Sequence, residues 1–210
     1  MTDAITPARP TAEARRQQIL DAACACVRRA GFHGASMAEI AQAAGLSVGQ
    51  IYRYFENKEA IIAAIVDQDL AEMREKFAEM ERAGGSLVET IVSQRFDALD
   101  RHYEPDRAAL MLEVLAEAAR NPRVAAIVRE ADTVERALKR SILDRVSPPG
   151  ASEEELVARG EVLSMLFEGM VIRGVNNPGA NRQAMGEVLG SVLRHLLTDC
   201  VGQPANKAES

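Results

Sequence analysis

Residues 47–54 bring together side chains that can hydrogen-bond to the bases and phosphates of a duplex. The amide of Gln50 and the guanidinium of Arg53 can pair with base edges, and neighbouring hydroxyl groups suit phosphate oxygens. Small residues between them would let the backbone approach closely. This mixture is typical of a helix that recognises DNA. The set predicted to face outward is Ser47, Val48, Gly49, Gln50, Tyr52, Arg53 and Tyr54.

Two short helices joined by a tight turn are predicted to present this segment. Ser36 and Glu39 have the spacing of a capping box, so a helix should begin directly after Ser36. Gly45 tolerates a left-handed backbone and should end that helix. Ser47 can then cap a second helix over residues 48–54. The pattern is that of a helix-turn-helix.

An earlier helix, predicted over residues 14–30, should support this pair. Its apolar residues recur at helical spacing, and Gly31 supplies a stop signal directly after it. Arg15 and Arg16 lie at its start, where we expect them to approach DNA.

Five short motifs follow one another in order between residues 14 and 65. They are ILDAA at 19–23, GF at 31–32, SMAEIA at 36–41, AAGLS at 43–47 and IYRYFENKEA at 51–60. In these motifs the chain resembles the N-terminal domain of TetR-family transcriptional regulators. The resemblance implies that two residues hold phosphates and six face the major groove: Ser36 and Lys58 for the phosphates, and Ser47, Gly49, Gln50, Tyr52, Arg53 and Tyr54 for the groove.

Other interpretations of these residues stay open. Lys58 follows a predicted helix cap, so its ammonium would lie near the positive end of a helix dipole, which favours a phosphate there. The alternative is a solvated surface lysine. We expect Phe55 in the core and Tyr52 between core and phosphate. Gln50 and Arg53 have the alternative of being ordinary exposed residues.

Charge is distributed unevenly along the 210 residues, whose net charge is −6. Residues 1–58 hold seven basic and five acidic side chains, whereas the remainder holds 18 basic and 26 acidic ones. An acidic body attached to a mildly basic end would confine DNA contact to that end. A composition that is 47% hydrophobic and 27% charged is ordinary for a soluble globular protein.

Cysteine content and hydropathy both favour a cytoplasmic protein. Cys24, Cys26 and Cys200 lack metal-ligand spacing, and we interpret them as packing residues in a reducing compartment. No apolar run approaches the ~20 residues that a membrane-spanning helix needs. The amino-terminal residues contain prolines and no hydrophobic signal core.

The rest of the chain divides into helical segments at Gly, Pro and Asn, without strand-like alternation. The sequence therefore predicts an all-α fold of about nine helices. The later helices are expected over residues 57–82, 86–102, 105–120, 122–146, 152–175 and 182–201. The predicted domains are a flexible arm (1–13), a helix-turn-helix DNA-binding domain (14–56), a helical ligand-binding and dimerisation domain (57–201) and a flexible tail (202–210).

The last two long helices carry more apolar residues than one buried face requires. Gly186 and Gly190, four residues apart, should let another helix approach closely. We expect an isologous four-helix dimer interface, which the resemblance also implies; the alternative is packing within the monomer. The predicted interface residues are Leu163, Phe167, Met170, Val188, Leu189, Val192 and Leu196. Two recognition helices about 34 to 36 Å apart would then match a palindromic operator.

Methionine and aromatic residues of the middle helices are candidates for a small-molecule pocket, which the resemblance implies. Gln94, Glu113 and Glu168 could supply polar anchors. For any one methionine, a core position is the more common role. The candidate ligand-binding set is Phe77, Gln94, Phe96, Met111, Leu115, Phe167, Glu168 and Met170.

Taken together, these patterns favour a DNA-binding transcriptional regulator. We expect a homodimeric repressor that a small-molecule effector of unknown identity releases from a palindromic operator. The alternative is a dimeric helical interaction protein of the same fold that does not read DNA sequence. An enzyme is disfavoured because His33, His102 and His195 lie far apart without a recognisable nucleophile or metal partner. No cofactor, metal or membrane partner is expected.

Overall fold

The computed structural model describes residues 11–199, and ten helices form the fold over that range. No strand occurs among these residues, so the predicted all-α class is confirmed. The helices are α1 (Ala12–Gly34), α2 (Met37–Ala43), α3 (Val48–Ile51), α4 (Lys58–Arg82), α5 (Leu87–Ser93), α6 (Arg95–His102), α7 (Pro105–Ala118), α8 (Pro122–Val146), α9 (Glu153–Asn176) and α10 (Arg182–Thr198). We call residues 11–57 the head and residues 58–199 the body.

The head is built around a small apolar core. Ile19 and Cys26 of α1, Ile40 of α2 and Ile51 of α3 are fully enclosed. Phe55 lies in the same cluster, which confirms its predicted core position. A cluster of this size holds three short helices in one arrangement because each helix has a single apolar face to bury.

Two glycines shape the head. Gly31 has φ +71°, so the regular part of α1 stops where the sequence predicts, and one further turn follows it. That turn is closed by the Ala35 N–H, which donates to the Gly31 carbonyl at 3.2 Å. Gly45 has φ +64° and ends the segment that begins with α2, again as predicted.

The head and body share a continuous apolar seam. The head cluster extends over Ile61 and Ile62 of α4 to Val114 of α7 and Val124 of α8. Helix α1 packs on α7, and α4 packs along α8. The orientation of the head is therefore set by α4 and α7 together.

A second core holds the body together. It is centred on Leu99, Leu143, Leu193 and Leu197, from α6, α8 and α10. Helix α10 packs on α5 and α6, and α9 packs on α6, α7 and α8.

Gly186 and Gly190 of α10 do lie close to another helix, but that helix belongs to the same chain. A Cβ on Gly186 would lie 2.0 Å from the Phe96 ring of α6, and one on Gly190 would lie 2.8 Å from the Arg95 Cδ. These glycines were predicted to let another helix approach. That helix is α6 of the same chain.

The described residues contain ten helices where the sequence predicts about nine, because residues 86–102 form two helices. Gln94 has φ −83° and ψ 7°, outside the helical range, and separates α5 from α6. The guanidinium of Arg95 donates to the Val92 carbonyl at 3.0 Å and so satisfies one free end of α5. No Gly or Pro marks this break in the sequence. Both short helices pack on α10, and we attribute the break to that packing.

Two helix ends in the head also differ from the predictions. Helix α1 begins at Ala12, two residues early, because the Thr11 hydroxyl accepts from the Ala14 N–H at 3.1 Å. Helix α3 ends at Ile51, and residues 52–54 form a turn instead of continuing the helix. The predictions for the arm, the tail, Cys200 and the last residues of the final helix fall mainly on residues 1–10 and 200–210, outside the described range.

Candidate nucleic-acid interface

Side chains from α1 hold the helix-turn-helix in place. The Gln18 amide donates to the Ala44 carbonyl at the end of α2, at 2.6 Å. Arg16 donates to the Tyr54 carbonyl at 3.1 Å and lies 4.5 Å from the centre of the Phe55 ring. The sequence places Arg16 where it could approach DNA; in the structure its half-buried guanidinium makes these two contacts within the head. The positioning role of Gln18 has no signal in the local sequence because its partner lies 26 residues away.

Both helices of the motif begin with a capping box. Ser36 accepts from the Glu39 N–H at 3.1 Å, and the Glu39 carboxylate accepts from the Ser36 N–H at 2.8 Å. Hydrogen bonding of the exposed Glu39 carboxyl to the Ser36 backbone, and then to the Ser36 side chain, lowers the pKa of that carboxyl. Ser47 and Gln50 repeat the arrangement, at 3.3 and 2.8 Å. The predicted caps are thus confirmed.

The second box constrains what Gln50 can recognise. Its amide oxygen already accepts from the Ser47 N–H, so only its NH2 group is left to contact a base. Bidentate pairing with adenine uses both amide groups, whereas donation alone suits an acceptor such as guanine N7 or O6.

The predicted outward face of α3 lies largely at the surface. Ser47, Val48, Gly49, Gln50 and Arg53 are exposed, and nothing lies within 4 Å of the position of a Cβ on Gly49.

The two tyrosines of the predicted outward set differ in their exposure to solvent. Tyr52 is 52% exposed, so about half of its surface is open to solvent, and its expected position between core and phosphate stays a prediction. Tyr54 is half-buried and packs against the head core, so only part of it faces outward. Tyr54 lies three residues after the buried Ile51, a spacing that already places the two side chains on neighbouring positions of one helical face.

Lys58 lies at the junction of head and body, partly buried. The Asn57 side chain accepts from the Ala60 N–H at 2.8 Å, which confirms the predicted cap of α4. The Lys58 Nζ donates to the Phe32 carbonyl at 2.7 Å and lies 4.4 Å from the centre of the Phe32 ring. An ammonium has three N–H donors, so two remain for other acceptors. A freely solvated surface lysine does not describe this side chain.

Acidic side chains of α7 meet the end of α1. Glu113 accepts from the Phe32 N–H at 3.1 Å. One turn later Glu117, only 2% exposed, is held by Arg120 at 2.8 Å, Asn121 at 3.0 Å and His33 at 3.1 Å. Burial raises the pKa of Glu117, but the hydrogen bonds from Asn121 and Arg120 outweigh it, and the pKa is lowered. Glu113 was a candidate effector anchor, and the structure places it at this joint instead.

A stripe of apolar side chains lies exposed along α9 and α10. We call the following residues the apolar stripe: Val162, Met165, Ile172 and Val175 on α9, and Val188 and Val192 on α10, which are between 39% and 65% exposed. On α9 their spacing follows one helical face.

Several residues predicted for a dimer interface are absent from the apolar stripe. Leu163, Met170 and Leu189 are at most 7% exposed and belong to the body core, so their assignment is corrected. Phe167 and Leu196 are partly buried against that core. Both helices carry apolar residues on more than one face, and the face that turns inward is fixed by α6 and α8.

The predicted ligand-binding residues do not surround a common cavity. Met170 is buried in the core, Phe96 fills the space above Gly186, and Leu115 and Glu168 are exposed. Phe77 and Met111 are half-buried, and Gln94 forms the break between α5 and α6.

Two cavities in the described residues are lined by other side chains. A groove of about 440 Å³ between α5 and α10 includes Glu89, Arg95, Glu187, Arg194 and His195 in its walls. A gap of about 10 Å³ lies at the seam of head and body. None of the predicted ligand-binding residues lines either cavity, so their role in binding an effector stays a prediction.

Polar groups do occur inside the body. Lys139 of α8 is buried and contacts Ser164 of α9 and Glu135, both at 2.6 Å. The His102 ring lies 5.3 Å from that of Phe167, and burial lowers its pKa. Buried polar groups of this kind could orient a small molecule if the surrounding helices separated.

Within residues 11–199, no three His, Cys, Asp or Glu side chains are grouped as a metal site. Over the same range, no helix combines the length and apolar character needed to cross a membrane. Cys24 and Cys26 are free thiols, and burial raises the pKa of Cys24, which disfavours its reactive thiolate.

The fold and the geometry of the head define the chain as a helix-turn-helix protein with a separate all-α body. The family model described as bacterial regulatory proteins, tetR family, matches residues 19–65. A second model, described as the C-terminal domain of BetI-type transcriptional repressors, matches residues 86–198, which is more than half of the chain. The chain belongs to the tetR family of bacterial regulatory proteins.

Known relatives agree with this family. The HTH-type transcriptional regulator UidR of Escherichia coli K12 is 38% identical over 128 residues, or 59% of this chain and 60% of UidR. The structure of Salmonella enterica GusR superposes with a TM-score of 0.72 at 24% identity, covering 90% of this chain and 97% of GusR. FadR of Bacillus subtilis, solved in complex with stearoyl-CoA, gives 0.70 at 20% identity, covering 86% and 97%. The two structures support the fold alone.

Proposed function

We propose that this protein regulates transcription by inserting α3 into the major groove of DNA. The observation that carries this proposal is the surface of α3. Gln50 and Arg53 stand exposed, while Ile51 and Phe55 anchor the segment from below. The Arg53 side chain makes no hydrogen bond or ion pair with any described residue, so it is available for a base edge. A protein that only binds other helices would not need this free guanidinium and amide on its head.

Ser36 and Lys58 are the proposed phosphate contacts around this helix, while Ser47 is proposed to face the groove. Two Lys58 N–H groups stay free beside the amino terminus of α4, where the helix dipole also attracts an anion. Val48, Gly49, Tyr52 and the outer part of Tyr54 complete the proposed contact surface.

The functional unit is proposed to be a homodimer that uses the apolar stripe. Val188 and Val192 keep their predicted interface role, and the α9 members of the stripe replace the buried leucines. Isologous pairing of α9 and α10 would give a four-helix interface and cover an apolar surface that is otherwise open to water. A two-fold dimer implies a roughly palindromic operator.

Regulation is proposed to be repression that a small molecule relieves in the cytoplasm, where the chromosome lies. The description of the C-terminal family model as that of a transcriptional repressor supports the direction of control. The stearoyl-CoA complex of FadR supports a body that can take up a ligand, without transferring that ligand to this chain. The buried Lys139 and Ser164 and the half-buried His102 are the proposed anchors within the body.

Fluorescence anisotropy with two labelled duplexes tests the DNA-binding role. One duplex carries the region upstream of the protein's own gene, and the other carries the same bases in scrambled order. The parent should prefer the first, and its affinity should fall steeply with salt. Arg53→Ala should weaken binding to the upstream duplex by about 1 to 3 kcal/mol. It should also reduce the difference in affinity between the upstream and the scrambled duplex.

Arg129→Ala is the matched control, since Arg129 is exposed on α8 and its loss changes the net charge equally. It should bind both duplexes like the parent. Equal binding by parent and Arg53→Ala would refute the assignment of α3, and failure of the parent to bind either duplex would count against the DNA-binding role itself.

A further inference from the structure

The backbone of Phe32 has two polar groups that its own helix leaves unpaired. Gly31 has non-helical angles, φ 71° and ψ 169°, so the regular geometry of α1 is interrupted directly before the Phe32 N–H. The Phe32 carbonyl would pair with the Ser36 N–H in a continuing helix, but that donor is bound to Glu39. Phe32 itself is 5% exposed, and unpaired polar groups at a buried position are costly.

Both groups are satisfied by side chains from outside the head. The Phe32 N–H donates to Glu113 of α7 at 3.1 Å, and the Phe32 carbonyl accepts from Lys58 of α4 at 2.7 Å. The Lys58 ammonium also lies over the Phe32 ring, at 4.4 Å. Glu113 and Lys58 line the same small gap at the seam. One residue therefore connects a carboxylate of the body to a lysine that we propose contacts phosphate.

Gly31 makes this contact possible. A Cβ at Gly31 would stand 3.2 Å from the Glu113 Oε2, which is already a tight distance, and the φ of +71° is strained for other residues. The carboxylate thus lies against bare backbone, where it can reach the Phe32 N–H directly.

We infer that Glu113 is a positioning residue for Lys58, acting through the backbone of Phe32. The carboxylate fixes the Phe32 segment, and the fixed carbonyl with its ring holds the ammonium in one place at the amino terminus of α4. A displacement of α7 therefore moves a phosphate contact without any change in α3. The significance for DNA binding rests on the proposed function, whereas the positioning itself does not.

Lysine labelling measures the positioning without DNA. The purified protein is treated briefly with an acetylating reagent, and the modification of Lys58 is followed by peptide mass spectrometry, with Lys76 of the same helix as the internal reference. Glu113→Ala removes the acceptor, and Glu113→Asp keeps the charge but shortens the reach by one methylene. Both substitutions should raise the acetylation rate of Lys58, relative to Lys76, about fivefold. This is the size expected for loss of a partly exposed hydrogen bond to a charged group, here the bond from the Phe32 N–H to Glu113.

Two variants separate positioning from general loosening. Glu113→Gln keeps an oxygen that can accept from the Phe32 N–H and should restore nearly the parent rate. Asp106→Asn breaks a different contact between α1 and α7, the 3.4 Å ion pair of Asp106 with Arg28. It should leave the acetylation rate of Lys58 unchanged. If the alanine variant does not fold, the aspartate variant decides. Unchanged labelling of Lys58 in a folded Glu113→Asp protein overturns the inference, as does equal labelling in Asp106→Asn and Glu113→Asp.

A double-mutant cycle connects the positioning to DNA affinity. Lys58→Ala should weaken binding to a duplex less in the Glu113→Asp background than in the parent, and equally in the Asp106→Asn and parent backgrounds. Independent, multiplicative effects of Lys58→Ala and Glu113→Asp would show that Glu113 does not act through Lys58. A parent that binds no duplex would defeat the proposed function, while the labelling result would still decide the positioning.

Discussion

In the proposed dimer, Met165→Ala should weaken self-association about 30- to 150-fold. Met165 is 65% exposed, so most of its side chain is available for burial by a partner. Full burial of a methionine is worth about 1.5 to 3 kcal/mol, and the exposed share that alanine would lose is about 1 to 1.5 kcal/mol. Because an isologous interface contains each residue twice, the dimer loses about 2 to 3 kcal/mol, which gives that change in Kd.

Sedimentation over a dilution series of labelled protein measures this Kd directly. Leu115→Ala is the matched control, because Leu115 is 41% exposed on α7, a helix that carries no member of the apolar stripe. It should leave the Kd within about twofold of the parent, since ordinary surface substitutions have small effects. An unchanged Kd in Met165→Ala, or an equal loss in Leu115→Ala, would refute the assignment of the stripe as the dimer interface.

Two further predictions concern stability. Gly186→Ala should destabilise the protein by about 1 to 3 kcal/mol in urea denaturation, because the new Cβ would lie 2.0 Å from the Phe96 ring. Gly160→Ala is the control: its Cβ would meet its nearest atom at 3.8 Å, so this substitution should be neutral or stabilising. Equal effects of the two substitutions would contradict the close packing of Phe96 on Gly186. Since the pKa of Glu117 is lowered by folding, its charge stabilises the fold above the unfolded pKa of about 4.3, and this contribution disappears as the pH falls below that value. Urea denaturation at pH 6 and pH 3.5 should therefore show a smaller pH dependence in Glu117→Gln than in the parent, and identical dependence would show that Glu117 is not the titrating group.

The head could be predicted closely from sequence because local signals determine it. Ser36, Ser47 and Asn57 form the caps that the sequence predicts, and Gly31 and Gly45 have the positive φ angles that their positions require. Each of these signals acts over three or four residues. The links that hold the head together act over longer separations. The Gln18 contact with Ala44 and the Arg16 contact with Tyr54 therefore have no signature in the sequence.

The body was harder to predict because its helices are apolar on more than one side. The pattern on α9 shows that Leu163, Met165, Met170 and Ile172 are hydrophobic, but not which of them face α6 and α8. The same uncertainty affects the effector site, since a methionine in a packed core and one in a pocket have the same neighbours in sequence. The break at Gln94 belongs to this class as well, because the fit of the two short helices on α10 decides it.

Helix α4 gives small movements of the body a large effect at the head. Its 25 residues span about 37 Å, so a rotation of about 5° around one end displaces the other by about 3 Å. Near its middle, Asp69 pairs with Arg107 of α7 and Glu72 pairs with Arg101 of α6, both at 2.7 Å. These pairs are partly exposed and individually weak, but the Asp69 pair connects α4 to the same α7 that carries Glu113.

A shift of α7 would therefore reach the head by two routes, through the Asp69 pair to α4 and through Glu113 to Phe32. Both routes end at Lys58, the first residue of α4. A displacement of about 3 Å is close to the spacing of about 3.4 Å between successive base pairs. In a dimer whose two α3 helices must meet successive grooves of one duplex, a change of that size in each subunit is enough to spoil the match. A ligand needs only to favour the shifted arrangement of α7 to lower DNA affinity, and DNA must then lower ligand affinity by the same factor.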